Sequence, residues 1–154
     1  MPLEAGQPAP DLSLSSSSGA SVRLKDLRGK WVVLYFYPND DTPGCTTEAC
    51  EFTGLNAQIK ALGAQVLGVS PNSLESHAKF IAKFDLAVEL LSDEDHAVCE
   101  RYGVWVEKNN YGKITMGVQR ATFLIGPDGK LAQVWPKVKA EGHAAEVLAA
   151  LKGM

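Results

Sequence analysis

The feature that most constrains how this chain can fold is an unbroken run of apolar, aromatic and β-branched residues at positions 31–37. A run without polar alternation is typical of a β-strand that is covered on both faces. Such a strand needs layers on both sides of its sheet, which favours an α/β fold over an open antiparallel one. The next segment, 38–44, is rich in Pro, Asp, Asn and Gly and predicts a loop.

A helix is predicted directly after this loop, from about 45 to 62, with Gly63 ending it. Its apolar residues recur at helical spacing and are expected to face the sheet: Phe52, Leu55, Ile59 and Leu62. Further strands are expected at 12–14, 21–24, 65–69, 90–91, 118–125 and 131–135, and further helices at 74–84, 95–102 and 142–152.

Strands that alternate with helices, followed by a late hairpin, predict a mixed β-sheet. The hairpin is indicated by the turn sequence Gly-Pro-Asp-Gly at 126–129, between the last two strands. No linker with a shift in composition divides the chain. We therefore expect a single domain, residues 1–154, with an α/β, thioredoxin-like fold in which helices cover both faces of a central mixed sheet.

The charge balance and the cysteine count restrict the class of function. A net charge of −3, from 15 basic and 18 acidic side chains, argues against nucleic acid or an anionic membrane as the main partner. Residues 1–8 lack the pattern of a secretory signal, and the longest apolar run is too short to span a membrane. We therefore expect a cytoplasmic protein, whose three cysteines are catalytic, metal-binding or buried rather than a disulfide framework.

Cys45 stands where the predicted loop meets the start of the predicted helix. Unpaired backbone N–H groups and the positive end of the helix dipole favour an anion there, so the position should favour a reactive thiolate. A core cysteine would lie on an apolar strand or helix face, whereas Cys45 follows Thr-Pro-Gly at a strand-to-helix corner. We therefore interpret Cys45 as a catalytic nucleophile.

Residues before Cys45 suit chemistry at its sulfur. Thr42 can place a hydroxyl beside the sulfur, where it would hold a substrate and orient the thiolate. Pro38 and Pro43 stiffen the loop and have no N–H group to compete, and Pro38 can shield the sulfur from water. The N–H groups at the helix start can hold a substrate oxygen on which charge develops.

Cys50 lies five residues beyond Cys45. On a regular helix this spacing places the two Cα atoms about 8.6 Å apart, whereas a disulfide usually requires Cα atoms within ~7 Å. If the two cysteines pair, the first turns of the helix must unwind, which predicts a folded and a locally unfolded state. Gly44 and Gly54 are close enough to assist. That Cys50 is a passive helix residue is an equally open alternative here.

Cys99 is interpreted as a core or half-buried thiol on the short helix predicted at 95–102. A zinc site of the Cys₃His type is an alternative, but the two cysteines that share one helix lack the usual knuckle spacing. Its ligands would be Cys45, Cys50, Cys99 and His96. The other histidines, His77 and His143, have no partner motif and are expected at the surface.

Arg120 interrupts an otherwise apolar strand predicted at 118–125. A permanently charged guanidinium on a core strand needs a partner. That partner could be a thiolate, which Arg120 would neutralise, or a carboxylate such as Glu48 in the first turns of the helix that begins at Cys45. The two interpretations are compatible.

Together these residues resemble the active-site pattern of the peroxiredoxin family, Pro38-x-x-x-Thr42-x-x-Cys45 with a distant Arg120. The sequence Thr-Pro-Gly-Cys at 42–45, with Cys50 after it, resembles the Q-type subfamily, the bacterioferritin comigratory proteins. The likeness covers nearly the whole chain and includes segments 7–11, 91–93, 102–104 and 120–125.

The resemblance implies a thioredoxin-like fold with an N-terminal extension and a thiol-dependent peroxidase for antioxidant defence. Cys45 would be the peroxidatic cysteine, surrounded by Pro38, Thr42 and Arg120, and Cys50 would be the resolving cysteine. The substrates would be hydrogen peroxide and alkyl hydroperoxides, and thioredoxin or a similar dithiol protein would be the reductant. The resemblance also implies a monomer without a metal or organic cofactor.

Two other functions stay open on the residues alone. The first is a thiol–disulfide oxidoreductase of the thioredoxin type, although such carriers use a C-x-x-C spacing that lets the sulfurs pair across one helix turn. The second is a metal-binding or redox-sensing module, which the metal content of protein purified without chelator would test.

Overall fold

The computed structural model describes residues 3–154, with Asn110 described by its backbone alone. Met1 and Pro2, which belong to the segment without a secretory pattern, lie outside the described residues. The strands are β1 Ser13–Ser16, β2 Ser21–Arg23, β3 Trp31–Phe36, β4 Ala64–Ser70, β5 Glu89–Ser92, β6 Trp105–Asn110, β7 Lys113–Val118, β8 Ala121–Ile125 and β9 Leu131–Trp135. The helices are α1 Pro43–Ala61, α2 Leu74–Phe84, α3 Ala97–Arg101 and α4 His143–Lys152, and Leu24–Leu27 forms a short 3₁₀ helix.

Seven of these strands form one mixed sheet in the order β2-β1-β5-β4-β3-β8-β9. β3 and β4 run parallel, as do β4 and β5, whereas β8 pairs antiparallel with β3 and with β9. β8 and β9 are joined through the Gly-Pro-Asp-Gly turn, so the predicted hairpin is confirmed. The apolar run at 31–37 provides β3, which lies inside the sheet with partners on both sides.

Alternate residues of β3 point into two separate cores, which explains why the strand has no polar face. Val33 and Tyr35 belong to the core formed with α1, α2 and α4. Val32 and Leu34 belong to the core formed with α3 and the segment that leads into β1. Helices therefore cover both faces, and the thioredoxin-like α/β class predicted from the sequence is confirmed.

Helix α1 begins where the loop after β3 ends. Thr42 is extended and precedes the helix, and Pro43 occupies its first turn, where a missing N–H costs nothing. The helix has 19 residues and ends before Gly63, whose positive φ of 78° suits glycine. Its limits lie within two residues of the prediction. Within residues 3–154, no helix has the length and apolar composition needed to cross a membrane.

The predicted strand at 118–125 is wrong in its first part. Val118 ends β7, Ala121 begins β8, and Arg120 lies in the two-residue link between them. β6 and β7 form a separate antiparallel hairpin that the sequence did not indicate. Most side chains of β7 are exposed, so this hairpin has no apolar alternation by which it could be recognised.

The two histidines expected at the surface are buried. His77 is 0% exposed on α2, and His143 is 1% exposed at the start of α4. Each has hydrogen-bond partners inside the fold: His77 contacts Asp40, and His143 contacts Thr122. The surface prediction failed because these partners are 37 and 21 residues away in the chain.

Candidate active site

Cys45 is the third residue of α1, at the carboxyl end of β3, and is 1% exposed. The helix starts with Pro43, and the N–H group of Thr46 donates to the Thr42 carbonyl oxygen at 2.8 Å. The N–H groups of Gly44 and Cys45 precede this bond and have no carbonyl one turn earlier in the helix. They therefore remain as donors toward a ligand beside the sulfur.

The Arg120 guanidinium brings Cys45 and Glu48 together. Its Nη2 lies 3.3 Å from Cys45 Sγ, and its Nη1 donates to Glu48 Oε1 at 2.7 Å. A Cβ atom at Gly44 would lie 3.0 Å from Nη2, so a side chain here would press the guanidinium back by a few tenths of an ångström. Both partners that the sequence offered for Arg120 are therefore in contact with it at the same time.

Charges in this group are set by burial as well as by pairing. Burial raises the pKa of Glu48 to about 7, and the Arg120 guanidinium offsets only part of that effect. Burial opposes the charge on Arg120, but Glu48 and Cys45 together raise the pKa of the guanidinium, which stays charged. The site thus holds a fixed positive charge beside the sulfur and a carboxyl group that titrates near neutral pH.

Thr42 and Pro38 lie in the loop that leads to Cys45. The Thr42 hydroxyl donates to the Asn39 carbonyl oxygen at 2.9 Å. Its oxygen lone pairs therefore remain free to accept a hydrogen bond from a substrate. Pro38 is half-buried and directly follows buried Tyr37, so it starts the loop at the end of the β3 segment.

Lys108 is a second basic residue whose charge interacts with the site, and it was not recognised from the sequence. Its side chain lies across Gly117, where an added Cβ atom would be 3.3 Å from its Cε. Burial and then the Arg120 guanidinium lower the pKa of Lys108, while Cys45 acts in the opposite direction. Recognition would have required the β6–β7 pairing, which places Lys108 and Gly117 on neighbouring strands.

Cys50 and Cys99 differ in their exposure to solvent and in their distance along the chain from Cys45. Cys50 is an exposed free thiol on the same continuous helix as Cys45. Regular helical geometry therefore keeps their Cα atoms about 8.6 Å apart, beyond disulfide reach. Cys99 is a buried free thiol on α3, which confirms its predicted place in the core. Burial, and then its hydrogen bond to Asp93, raise the pKa of Cys99 well above the ordinary value.

The arrangement does not support the zinc alternative. Cys45 packs in the core on the α1 side of the sheet, whereas Cys99 packs in the core on the opposite side. Four ligands of one zinc ion must lie within a few ångströms of a common centre, so two of these cysteines cannot share it. Within the part of the chain that the structure describes, no group of three or more His, Cys, Asp or Glu residues is placed to hold a metal ion.

Comparisons with known proteins agree with this geometry. The family model described as AhpC/TSA matches residues 5–134. Peroxiredoxin Bcp of Bacillus subtilis is 49% identical over 100% of this chain and 98% of its own, and the putative peroxiredoxin Bcp of Coxiella burnetii is 50% identical over 98% and 100%.

Solved structures give the same result for the fold. A structure of Xanthomonas campestris peroxiredoxin Q has a TM-score of 0.90 and 47% identity, and the match covers 98% of each chain. A structure of the bacterioferritin comigratory protein of that organism, which concerns its alkyl peroxide reduction activity, has the same TM-score and identity and covers 97% of this chain and 98% of its own. The chain therefore belongs to the AhpC/TSA family, in its peroxiredoxin Q or Bcp group, and is a thiol-dependent peroxidase.

Proposed function

We propose that Cys45 is the peroxidatic cysteine and that it reduces hydrogen peroxide and alkyl hydroperoxides. The Cys45 thiolate attacks the terminal peroxide oxygen, the O–O bond breaks, and the leaving alkoxide or hydroxide takes a proton. The products are Cys45 sulfenic acid and an alcohol or water. The observation that carries this proposal is the Arg120 guanidinium 3.3 Å from Cys45 Sγ at a helix N-terminus.

The surrounding groups stabilise this transition state in different ways. Arg120 and the Cys45 N–H group lie where negative charge develops on the oxygens, so they stabilise the transition state more than the bound peroxide. The free lone pairs of the Thr42 hydroxyl accept the peroxide O–H, which orients the terminal oxygen toward the sulfur. Pro38 shields the thiolate from water. Glu48 holds the guanidinium in place through the 2.7 Å ion pair.

Cys50 is proposed as the resolving cysteine. Its exposure suits an attack on the sulfenic sulfur, which releases water and forms an intramolecular disulfide. The helical separation requires the first turns of α1 to unwind before the sulfurs meet. Cys99 is a poor second candidate because it is buried on the opposite side of the sheet and burial disfavours its thiolate.

Recycling requires a dithiol protein, and we take thioredoxin as that reductant because its exposed dithiol can exchange with the Cys45–Cys50 disulfide. Such exchange requires a reducing compartment, which supports the cytoplasm as its location. Reduction of alkyl hydroperoxides is supported by the Xanthomonas relative, whose structure concerns that activity. A monomer is sufficient for this cycle because both proposed cysteines lie on α1 of one chain.

The direct test follows hydrogen peroxide consumption with thioredoxin, thioredoxin reductase and NADPH. Turnover by the wild-type protein and none by Cys45→Ser would support both the reaction and the nucleophile. If the wild type shows no turnover, thiol loss after one addition of peroxide distinguishes a wrong reductant from a wrong reaction. A peroxidase must still oxidise once, so an unchanged thiol content would contradict the proposal.

The role of Cys50 is tested by over-oxidation. Without a resolving thiol, Cys45 sulfenic acid persists longer and a second peroxide converts it to sulfinic acid. Cys50→Ser is therefore expected to accumulate several-fold more sulfinic acid than the wild type at equal peroxide exposure, as measured by mass spectrometry. Equal sulfinic acid in the two proteins would mean that Cys50 does not resolve Cys45.

A further inference from the structure

A buried ion pair lies beside the proposed site and has no part in the mechanism above. It joins His77, on α2, to Asp40, in the loop between β3 and α1. His77 Nδ1 is 2.7 Å from Asp40 Oδ2, and the two side chains are 0% and 3% exposed. Buried charges of this kind are costly unless they are paired and hydrogen-bonded, so the contact calls for an explanation.

Both partners of the pair are held by further hydrogen bonds. The second ring nitrogen of His77, Nε2, lies 2.9 Å from the Leu91 carbonyl oxygen, so both ring nitrogens face acceptors. Burial acts to raise the pKa of Asp40, but hydrogen bonds from His77 and Tyr37 and the charge of His77 outweigh it and lower that pKa. Asp40 is therefore an ionised acceptor.

Asp40 holds the loop by further contacts. Its Oδ1 accepts from the Tyr37 hydroxyl at 2.6 Å, and its Oδ2 also accepts from the Ser76 hydroxyl at 2.7 Å. Its own N–H group donates to Asn72 Oδ1 at 2.9 Å. The carboxylate therefore ties the loop to the β3 segment and to α2 at once, and His77 is its second partner on α2.

The position of Asp40 in the chain connects these contacts to the proposed site. Asp40 precedes Thr42 by two residues and Cys45 by five, so only a short piece of chain separates it from the helix start. Asn39, next to Asp40, accepts two hydrogen bonds. Its carbonyl oxygen accepts one from the Thr42 hydroxyl, and its Oδ1 accepts one from the Asn72 side-chain amide. A displacement of the Asp40 carboxylate would therefore move the groups that place the hydroxyl and the sulfur.

We propose that His77 is a positioning residue for the peroxidase reaction, which it serves by holding the loop through Asp40. The inference rests on the proposed function of Cys45 and Cys50. The ion pair stabilises the arrangement in which Cys45 faces the peroxide. It also keeps the loop at Asp40 in place while the first turns of α1 unwind to form the disulfide. Loss of the pair therefore slows oxidation of Cys45 and favours the locally unfolded state.

The test compares His77→Gln with His143→Gln in the full-length protein. His143 is a matched control because it is equally buried but bonds to Thr122 on β8 rather than to the loop. Oxidation of Cys45 by hydrogen peroxide is timed in a Cys50→Ser background, so that the first step is seen alone. The ratio of disulfide to sulfinic acid is then measured with Cys50 present, together with the melting temperature.

His77→Gln is expected to oxidise about tenfold more slowly, because small displacements of reacting groups are costly, and to give a higher ratio of disulfide to sulfinic acid. His143→Gln is expected to lower the melting temperature but to change the oxidation rate by less than about twofold. If His77→Gln does not fold, Asp40→Asn removes the same ion pair from the loop side and is expected to change both measurements in the same direction.

The outcomes separate the two proposals. A protein with His77 intact whose Cys45 does not react with peroxide would contradict the proposed function itself. Oxidation of that protein, together with an unchanged rate and product ratio in a folded His77→Gln or Asp40→Asn variant, would overturn the positioning role alone. A lower melting temperature with an unchanged oxidation rate and an unchanged product ratio would also overturn the positioning role, because the pair would then contribute only to stability.

Discussion

Two buried thiols occupy matching positions on opposite sides of the sheet. Cys45 is the third residue of α1 and is 1% exposed, and Cys99 is the third residue of α3 and is 0% exposed. Both therefore lie in the first turn of a helix, where backbone N–H groups favour an anion. Burial and helix position alone cannot explain why only Cys45 has the surroundings of a nucleophile.

The difference lies in what already occupies the helix N-terminus. In α3 the Asp93 carboxylate accepts from the N–H groups of Val98 and Cys99, at 3.2 Å and 2.8 Å. In α1 no side chain caps the helix, and the added charge is the Arg120 guanidinium. One thiol thus shares its helix start with an anion and the other with a cation. The comparison teaches that two cysteines at the same helix position can have opposite electrostatic surroundings, because a side-chain carboxylate takes up the backbone donors of one helix, whereas those of the other are left vacant.

The largest effect is expected from removing each thiol in turn. Cys45→Ser should abolish peroxide turnover, because no other thiol has a cation and free N–H donors beside it. Cys99→Ala should retain turnover within about twofold, since sites without shared partners act independently. Both variants are measured in the thioredoxin-coupled assay. A Cys99→Ala protein that folds normally but loses turnover would contradict the conclusion that only Cys45 has the surroundings of a nucleophile.

A smaller effect is expected from removing the cation. Arg120→Met should lower the rate of Cys45 oxidation by about 10²–10³-fold, the usual cost of one transition-state donor. The matched control is Arg101→Met, because Arg101 lies on α3 near Cys99, is exposed and donates to the Asp11 carbonyl oxygen. Stopped-flow oxidation with hydrogen peroxide measures both variants, and equal rates for the two would contradict the role assigned to Arg120.

The smallest effect concerns the carboxyl group on the Cys45 side. The pKa of Glu48 is raised to about 7 by burial, above its value of 4.5 in the unfolded chain. Its contribution to stability is therefore fully present below pH ~4.5 and is lost as the pH rises through about 7. The melting temperature of Cys45→Ser protein should fall over this range, and adding Glu48→Gln should remove that part of the slope. An identical slope in both proteins would show that Glu48 does not titrate there.

Much of the fold follows from local patterns in the sequence. The apolar run at 31–37 locates β3, and the helical spacing of Phe52, Leu55 and Ile59 locates α1, because each element buries a face that its own residues define. Leu62, which was expected on the same face, lies after the end of α1 and is 38% exposed. The motif around Cys45 is local in the same way: Thr42, Pro43 and Gly44 form the start of the helix that carries the sulfur.

The contacts that the sequence does not reveal are those between distant segments. Arg120 was recognised as charged and in need of a partner, but its place in a link after the β6–β7 hairpin depends on a strand pair with exposed side chains. His77 looked like a surface residue because Asp40 is 37 residues away. Lys108 needed the pairing of β6 with β7 as well. Each case depends on which strands and helices pack together, which no local pattern encodes.

Gly44 links the speed of the first chemical step to the ease of the second. Because Gly44 has no side chain, the Arg120 guanidinium can lie close to its backbone: a Cβ atom at Gly44 would be 3.0 Å from Nη2. Glycine also gains more freedom on unwinding than any other residue, so it weakens the same turn that must open for the disulfide. Under the proposed cycle, a larger residue at this position would displace the guanidinium and so slow the attack of Cys45 on peroxide. The same residue would stabilise the first turn of α1 and so slow formation of the disulfide. The rates of the two steps therefore cannot be changed independently at this position.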